Sequence, residues 1–238
     1  MSQIATRKNI SFFRNRHKYY GEAVSKPGTY EAIRLAIGRE IQGAKKLLDL
    51  GHGLVFNYDV KNIASVVAVD LFDKPSDDEV FSKNIRFVKG SALDLKFPDK
   101  TFDTVLMDML LHHLVGKSSQ ESENNIKLAI SEAFRVLKPG GKLIIVESCV
   151  ARWFYWLEKI IFPLLLRFTS RYLSHPMVLQ YSIEKIRDII SQFDPEMRIE
   201  KVPKSGWIIL FGFYFPAILS PIQPWTIVAK NRGGRTRN

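Results

Sequence analysis

The sequence predicts a doubly wound α/β fold, and two observations support this fold class. From Lys46 onward, short β-rich runs alternate with helical stretches, which indicates βαβ units. Four of the runs are nearly continuous in apolar residues, as expected for parallel strands buried on both faces. The runs are LLDL, SVVAVDL, IRFVKG, FDTVLMD and KLIIVES. In such sheets ligands bind beyond the carboxyl ends of the strands, so we expect the site there.

The composition is typical of a globular domain. Of the 238 residues, 46% are apolar and 25% are charged, which is enough for one large domain with a sizeable core. A single cysteine, Cys149, excludes an intramolecular disulfide framework and a cysteine-built zinc site, and we predict no metal site. The N-terminus is charged and lacks a long apolar core, so it does not have the pattern of a secretory signal. We therefore expect a cytoplasmic protein.

The formal net charge is +11, and basic residues crowd both ends of the chain. A basic surface favours nucleic acid, anionic lipid or an acidic substrate, whereas solvated termini would explain the same pattern without a partner. The terminal basic residues are Arg7, Lys8, Arg14, Arg16 and Lys18, then Lys230, Arg232, Arg235 and Arg237.

The segments around the strand runs also have recognisable patterns. KPGTYEAIRLAIGREIQGAKK predicts an amphipathic helix after a Pro-Gly turn, and SIEKIRDIISQF predicts another that begins at a serine cap. WIILFGFYFPAIL and WTIVAKN are predicted to form late strands.

An apolar segment, Ala151 to Leu173, interrupts this rhythm, and charged residues and a proline make it too short for a spanning helix. Trp153, Trp156 and Ile160 recur there at near-helical spacing. The segment could pack as core, line an apolar acceptor cavity, form a dimer face or lie on a membrane surface.

The stretch DLGHG predicts a sharp turn at the end of the first strand. Gly51 and Gly53 let the backbone turn and approach a ligand closely, and Asp49 could accept hydrogen bonds there. Asp70 ends the next strand, where a carboxylate can bind the hydroxyls of a ribose. A plain strand-to-helix turn and a helix-capping aspartate are the alternatives.

Downstream motifs distinguish between cofactors. GSALDLKFPDKTFDTVLMDMLLHHL and EAFRVLKPGGKLIIVES resemble the middle and late motifs of class I S-adenosylmethionine-dependent methyltransferases, of the small-molecule type 11/25-like group. The resemblance covers roughly Lys45 to Ser148. It implies a Rossmann-like, mostly parallel seven-stranded sheet with an antiparallel last strand. It also implies an N-terminal helical lid and a helical insertion after the fifth strand.

The resemblance also implies roles for particular residues. The first motif would cradle the methionine part of S-adenosyl-L-methionine, the acid after the second strand would bind the ribose, and residues after the third and fourth strands would flank the adenine and the methyl group. The implied cofactor residues are Asp49, Gly51, His52, Gly53, Asp70, Leu71, Ser91, Ala92, Leu93, Met107 and Asp108.

Three positions depart from the family's pattern. His52 replaces a small residue or cysteine, Val55 replaces a third glycine, and Ser91 replaces an aspartate. Val55 is expected to be the most costly, because a β-branched residue tolerates positive φ poorly. We therefore expect a slightly altered loop that still binds the cofactor, released as S-adenosyl-L-homocysteine.

Three residues are candidates for acid–base chemistry. His112 and His113 follow the fourth strand, and Glu147 ends the fifth. Structural roles are the alternative for the histidines, and a backbone amide or the basic N-terminal segment is the alternative partner for Glu147. Tyr19 and Tyr20 lie where the family often has a lid over the cofactor.

We therefore predict a single methyltransferase domain, 1–238. It comprises a basic lid (1–44), a cofactor-binding core (45–148), a helical acceptor-side insertion (151–195), the last strands (196–230) and a basic tail (231–238). The expected function is methyl transfer to an oxygen or nitrogen of a small-molecule, lipid or glycan-type acceptor. The alternatives are an RNA or protein methyltransferase and a non-catalytic protein with weakened cofactor binding. MDML stands where a nucleic-acid methyltransferase motif would be, so we do not expect nucleic acid as a partner, while peripheral membrane contact remains open.

Overall fold

The computed structural model describes residues 7, 9–12, 21–22, 25, 28–72, 81–172, 177–210 and 213–233. Four helices have defined bounds: α1 (Thr29–Ile41), α2 (Ser119–Val136), α3 (Arg152–Tyr172) and α4 (Ile183–Ile190). The strands are β1 (Lys46–Leu50), β2 (Ser65–Asp70), β3 (Ile85–Lys89), β4 (Phe102–Asp108), β5 (Leu137–Cys149), β6 (Arg198–Lys201), β7 (Trp207–Leu210), β8 (Phe213–Pro216) and β9 (Gln223–Lys230). Three short 3₁₀ turns cover Val60–Asn62, Leu111–His113 and Ala217–Leu219.

Seven of the described strands form one sheet in the order β3-β2-β1-β4-β5-β9-β6. The first five strands are parallel: β1 pairs with β2 and β4, β2 pairs with β3, and β4 pairs with β5. β9 runs antiparallel to both β5 and β6. This order confirms the predicted doubly wound sheet with an antiparallel last strand. Because β1, β2 and β4 are parallel, their carboxyl ends lie at the same edge of the sheet. The strand order changes direction between β1 and β4, and such sheets bind ligands at that point.

The central strands are buried on both faces, as their apolar runs predict. Leu48 on β1, Val105 on β4 and Ile144 on β5 are fully buried in one continuous core. Burying a side chain of this kind contributes about 1.5–3 kcal/mol relative to exposing it. The strands therefore form a rigid scaffold for the loops at their carboxyl ends.

Side-chain caps define the starts of two helices. The hydroxyl of Ser118 accepts from the backbone N–H of Glu121 at 3.1 Å, and α2 begins at the next residue. Ser182 accepts from the N–H of Lys185 at 3.4 Å, so the predicted serine cap of α4 is confirmed. A cap of this kind contributes about 1 kcal/mol.

Both predicted late segments form strands. WTIVAKN lies mostly in β9, and in the described part of the chain β7 and β8 from the WIILFGFYFPAIL segment pair with each other in a separate two-stranded sheet. β6 completes the main sheet within the predicted range of last strands, 196–230, although its sequence, RIEK, has no apolar run and its charged residues are exposed or half-exposed. No described helix is both long enough and apolar enough to cross a membrane.

Candidate active site

A cavity opens at the carboxyl edge of the sheet. Its walls come from the ends of β1, β2 and β4, from the loops that follow β1 and β3, and from a helical turn near the N-terminus. Ten of the predicted site residues line it: Asp49, Gly51, His52, Gly53, Asp70, Leu71, Ser91, Ala92, Asp108 and His113. Four predicted residues do not line it: Leu93, Met107, His112 and Glu147.

The turn after β1 has positive φ at three of four consecutive residues, Gly51, Gly53 and Leu54. Gly51 has φ 72°, Gly53 has φ 53° and Leu54 has φ 66°. A Cβ on Gly51 would lie 2.5 Å from Cδ1 of Leu110, so a larger residue would have the positive φ to adopt and the Leu110 side chain to displace. The expectation that Val55 would need positive φ was wrong, because the left-handed positions end at Leu54, one residue earlier.

His52 stabilises this turn. Its Nδ1 accepts a 2.9 Å hydrogen bond from the backbone N–H of Leu54, so the ring proton of the neutral form lies on Nε2. The ring stacks on Phe56 with centroids 5.6 Å apart and meets the edge of Phe87 at 5.4 Å. Burial lowers the pKa of His52 to about 4, so it is neutral at physiological pH. The departure from a small residue is therefore accommodated by an aromatic cluster.

Asp70 connects the ends of β1 and β2. Its Oδ2 accepts from the backbone N–H of Gly53 at 3.0 Å, and its Oδ1 accepts from the N–H of Leu71 at 2.7 Å. Burial raises the pKa of Asp70 to about 6, although these two hydrogen bonds act in the opposite direction. Each carboxylate oxygen retains a further lone pair that could accept from a ligand hydroxyl.

Two more carboxylates line the same cavity, each with one neutral partner. Asp49 accepts from the hydroxyl of Tyr58 at 2.7 Å, and Asp108 accepts through Oδ2 from the amide of Asn57 at 2.7 Å. Burial raises the pKa of Asp49 to about 7 and that of Asp108 to about 6. Oδ1 of Asp108 is buried and has no hydrogen-bond partner among the described residues. The cavity therefore collects three carboxylates whose hydrogen-bond donors, among the described residues, are neutral side chains and backbone amides.

Asn57 and Tyr58 were missed in the sequence. Both also line the cavity, and they follow the glycine turn in the segment FNYDV. Their partners lie 51 and 9 residues away along the chain, so no local spacing pattern indicates the contacts. The only signal was two polar residues directly after a predicted ligand-binding turn.

Ser91 and Ala92 line the cavity after β3, but Leu93 does not. The backbone N–H of Leu93 donates to the hydroxyl of Ser91 at 3.2 Å, which tightens this turn. Met107 also lies outside the lining because its side chain is fully buried in the core of β4. The next strand residue, Asp108, faces the cavity, as expected from the alternation of side chains along a strand.

Of the three acid–base candidates, only His113 reaches the cavity. Glu147 is fully buried and accepts from Nδ1 of His112 at 2.5 Å and from the backbone N–H of Leu111 at 2.8 Å. These contacts bind the 3₁₀ turn Leu111–His113 to β5. In this arrangement Glu147 and His112 position the turn that carries His113, in agreement with the alternative structural role for Glu147.

The N-terminal segment contributes to the cavity through Asn9 and Ile10. The amide of Asn9 donates to the backbone oxygen of His113 at 3.3 Å, and its oxygen accepts from the N–H of Met177 at 3.0 Å. The predicted lid residues Tyr19 and Tyr20 lie outside the described residues, as do several basic residues of the two termini. At the C-terminus, Arg232 pairs with Asp194 at 2.8 Å.

Comparison with known proteins agrees with this architecture. Residues 48–145 match the family model described as a methyltransferase domain. The ubiquinone/menaquinone biosynthesis C-methyltransferase UbiE of Vibrio parahaemolyticus is 30% identical over 116 residues, which are 43% of this chain and 41% of that protein. The chain spans less than half the length of the curated relatives it matches.

Two solved structures illustrate the similarity of fold. A 1,6-didemethyltoxoflavin-N1-methyltransferase from Burkholderia thailandensis, solved with 1,6-didemethyltoxoflavin and S-adenosylhomocysteine, has a TM-score of 0.60 at 15% identity, over 96% of this chain and 87% of that chain. A chain from a complex of the Haloferax volcanii Trm112 methyltransferase activator with a proposed methyltransferase has a TM-score of 0.64 at 14% identity, over 97% of this chain and 99% of that chain. The protein therefore has the fold of these methyltransferase structures, and its residues 48–145 match the model of a methyltransferase domain.

Proposed function

We propose that this protein binds S-adenosyl-L-methionine and transfers its methyl group to a small-molecule acceptor. The observation that carries the proposal is the buried Oδ1 of Asp108, which no described residue hydrogen-bonds, in a cavity that Asp49 and Asp70 also line. Three carboxylates whose pKa values are raised by burial favour a cationic ligand, because a nearby positive charge offsets the cost of ionising them. A sulfonium with an adjacent ammonium group meets that requirement.

The residues present also fit the rest of the cofactor. Asp70 has lone pairs for the ribose hydroxyls, and the turn at Gly51 and Gly53 lets the backbone approach the methionine part. Ser91 and Ala92 would flank the adenine. When bound, the cofactor supplies an electrophilic methyl group on a sulfonium centre, and it leaves as S-adenosyl-L-homocysteine.

The protein's own contribution is mainly orientation and the exclusion of water. Asn9 and Ile10 close one side of the cavity, and the pair formed by Glu147 and His112 holds the turn that carries His113. His113 is the candidate base for a proton released by the acceptor, since its side chain lines the cavity. The remaining cofactor candidates, Leu93 and Met107, would act only through packing.

The acceptor is proposed to be a small, partly apolar molecule methylated on oxygen or nitrogen. A second possibility is methylation on carbon, which is favoured by the names of the matched relatives, among them a demethylmenaquinone methyltransferase and the UbiE C-methyltransferases. Apolar side chains in the lining, including Val55, Leu110 and Leu114, are compatible with either acceptor.

The direct test is binding of S-adenosyl-L-homocysteine to the purified chain, measured by calorimetry and by thermal unfolding. A ligand at about 100 times its Kd stabilises the folded state by about 2.7 kcal/mol, so a clear rise in Tm is expected. NADH serves as the control nucleotide and should produce no rise. Absence of any S-adenosyl-L-homocysteine binding would favour a non-catalytic protein of the same fold and would overturn the proposal.

A further inference from the structure

An apolar stripe runs along the exposed side of α3. We define the α3 stripe as Trp153, Trp156, Leu157, Ile160, Ile161 and Leu164, all of them exposed. The spacing of these residues places them on one face of the helix. Trp153, Ile160 and Leu164 are 68%, 74% and 70% exposed, so most of their surface is not packed in the core. An exposed stripe of six large apolar side chains indicates an interaction surface.

The opposite face of α3 is firmly attached to the domain, so the stripe is held outward. Tyr155 and Phe162 are buried, and the hydroxyl of Tyr155 donates to Glu123 at 2.7 Å. Lys159 pairs with the same carboxylate at 2.6 Å. Glu158 is buried and accepts from the backbone N–H of Gln180 at 3.3 Å. The polar contacts on the inner face fix the rotation of the helix about its axis.

The helix has the character of one that lies in the plane of a membrane surface. Two tryptophans are on the stripe, and tryptophan is enriched where protein meets the interface between lipid and water. α3 contains Pro163 and is not apolar enough to span a bilayer. An amphipathic helix with a broad apolar face and basic flanks instead buries that face at the level of the headgroups.

The charge of the helix complements an anionic surface. Besides Lys159, which is paired with Glu123, α3 carries the basic residues Arg152, Arg167 and Arg171 and one acidic residue, Glu158, in a chain of net charge +11. Glu158 is on the buried face, and burial raises its pKa to about 7, so it opposes the basic residues only weakly. An anionic membrane attracts basic residues near its surface, so the three arginines of the helix favour docking there.

α3 begins at the edge of the sheet where the cavity opens. α3 follows the carboxyl end of β5, and the segment between β6 and β9 returns to the same edge, since Gln223 pairs with Cys149. That segment carries three more exposed apolar residues, Trp207, Ile218 and Leu219. Exposed apolar residues are therefore concentrated on elements of the cavity edge.

We propose that the α3 stripe docks this protein on an anionic phospholipid surface, with the cavity edge of the sheet toward the lipid. Docking itself is independent of the proposed methyl transfer. If both hold, an apolar acceptor dissolved in the bilayer reaches the cavity without crossing water, and the water-soluble cofactor enters separately.

The test measures binding of the full chain to vesicles of phosphatidylcholine alone and of phosphatidylcholine with about 30% phosphatidylglycerol, an anionic lipid. The test variant is I160S/L164S, and the matched control is L35S/L128S, whose leucines are exposed on α1 and α2 and are not part of the stripe. We expect binding to the anionic vesicles that weakens at least tenfold in the I160S/L164S variant and is unchanged in the control. Salt at about 1 M, where screening acts within about 3 Å, should also weaken it.

Other outcomes overturn the proposal. Equal binding by both variants would mean that basic residues alone attract the protein. A wild-type dimer that dissociates in the I160S/L164S variant, without vesicle binding, would assign the stripe to a second copy of this chain. Because the variant leaves the cavity intact, calorimetry with S-adenosyl-L-homocysteine separates failure of docking from failure of the proposed function.

Discussion

The hydroxyl of Tyr58 donates a 2.7 Å hydrogen bond to Oδ2 of Asp49, and both residues are buried. The bond connects the segment after the glycine turn to the end of β1. It also partly offsets the burial that raises the pKa of Asp49 to about 7. The hydrogen bond from Tyr58 therefore lowers the free-energy cost of ionising the buried Asp49 carboxyl group.

Removing that hydroxyl should destabilise the protein, and more at high pH than at low pH. In Tyr58→Phe we expect a loss of about 1.5–3 kcal/mol above about pH 8, where Asp49 is ionised, but only about 0.5–1.5 kcal/mol near pH 5, where it is protonated. Urea unfolding at both pH values measures the difference.

The matched control for this prediction is Tyr181→Phe. The Tyr181 side chain is also buried, but its hydroxyl has no hydrogen-bond partner among the described residues. Its removal should leave stability unchanged or raise it. If the two variants lose equal stability at both pH values, the bond to Asp49 contributes nothing specific.

The unpartnered oxygen of Asp108 yields a prediction about binding. Asp108→Asn removes a charged acceptor from the cavity, so the affinity for S-adenosyl-L-methionine should fall by about tenfold or more, equivalent to about 1.4 kcal/mol or more. Asp94→Asn is the control, since that carboxylate is 66% exposed and pairs with Lys96 at the surface. Calorimetry showing equal affinity in both variants would exclude Asp108 from the binding site.

Cofactor binding should also release protons. In the free protein, burial raises the pKa of Asp49 to about 7 and those of Asp70 and Asp108 to about 6. Because the unfolded carboxyls ionise near pH 4, these groups make the free protein less stable as the pH rises from about 4 to about 7. A bound cation favours the ionised carboxylates and lowers their pKa values, so affinity should increase with pH over the same window.

Calorimetry in two buffers with different ionisation enthalpies checks this linkage. The measured heats should differ near pH 6 and converge above about pH 8, where the three carboxyls are already ionised. Equal binding heats in the two buffers at pH 6 would mean that the ligand's charge does not change the ionisation of the cavity carboxylates.

The sequence was informative where a signal is local. Apolar runs such as LLDL and KLIIVES predict buried parallel strands, and Asp70 is predicted because a strand end and a glycine turn are close in the chain. The network around Asp49 and Asp108 was not predictable in this way, since Tyr58 and Asn57 meet their partners only after the sheet forms. The sequence did not predict the backbone φ angles correctly either. The glycine pattern predicted positive φ at Val55, whereas Leu54 has the positive φ.

That correction changes the expected effect of Val55→Gly. Val55 is outside the left-handed positions, so glycine relieves no strain there and should not tighten cofactor binding. Val55 is half-buried against the core, and glycine adds freedom to the unfolded chain, so the variant should lose about 0.4–1 kcal/mol of stability plus the lost packing. Val55→Ala, which removes packing without that freedom, is the comparison in thermal melts. Tighter S-adenosyl-L-homocysteine binding by the glycine variant alone would restore the original expectation.

The last prediction separates positioning from binding at Glu147. This fully buried carboxylate accepts from His112, from the N–H of Leu111 and from the N–H of Ser148 at 2.8 Å. A glutamine has one acceptor oxygen fewer and adds two donors, so Glu147→Gln leaves a buried group unpaired and should cost about 2–4 kcal/mol of stability. Because Glu147 does not line the cavity, the affinity for S-adenosyl-L-homocysteine should change little at temperatures where the variant is folded.

Glu196→Gln is the matched control for that variant, since its carboxylate is 74% exposed and pairs with Arg232. Its stability should stay within about 0.5 kcal/mol of the wild type. Urea unfolding measures the stability of both variants, and calorimetry measures their affinity. Normal stability with lost binding in Glu147→Gln would place Glu147 in the binding machinery, whereas lost stability with retained binding supports its role in holding the turn that carries His113.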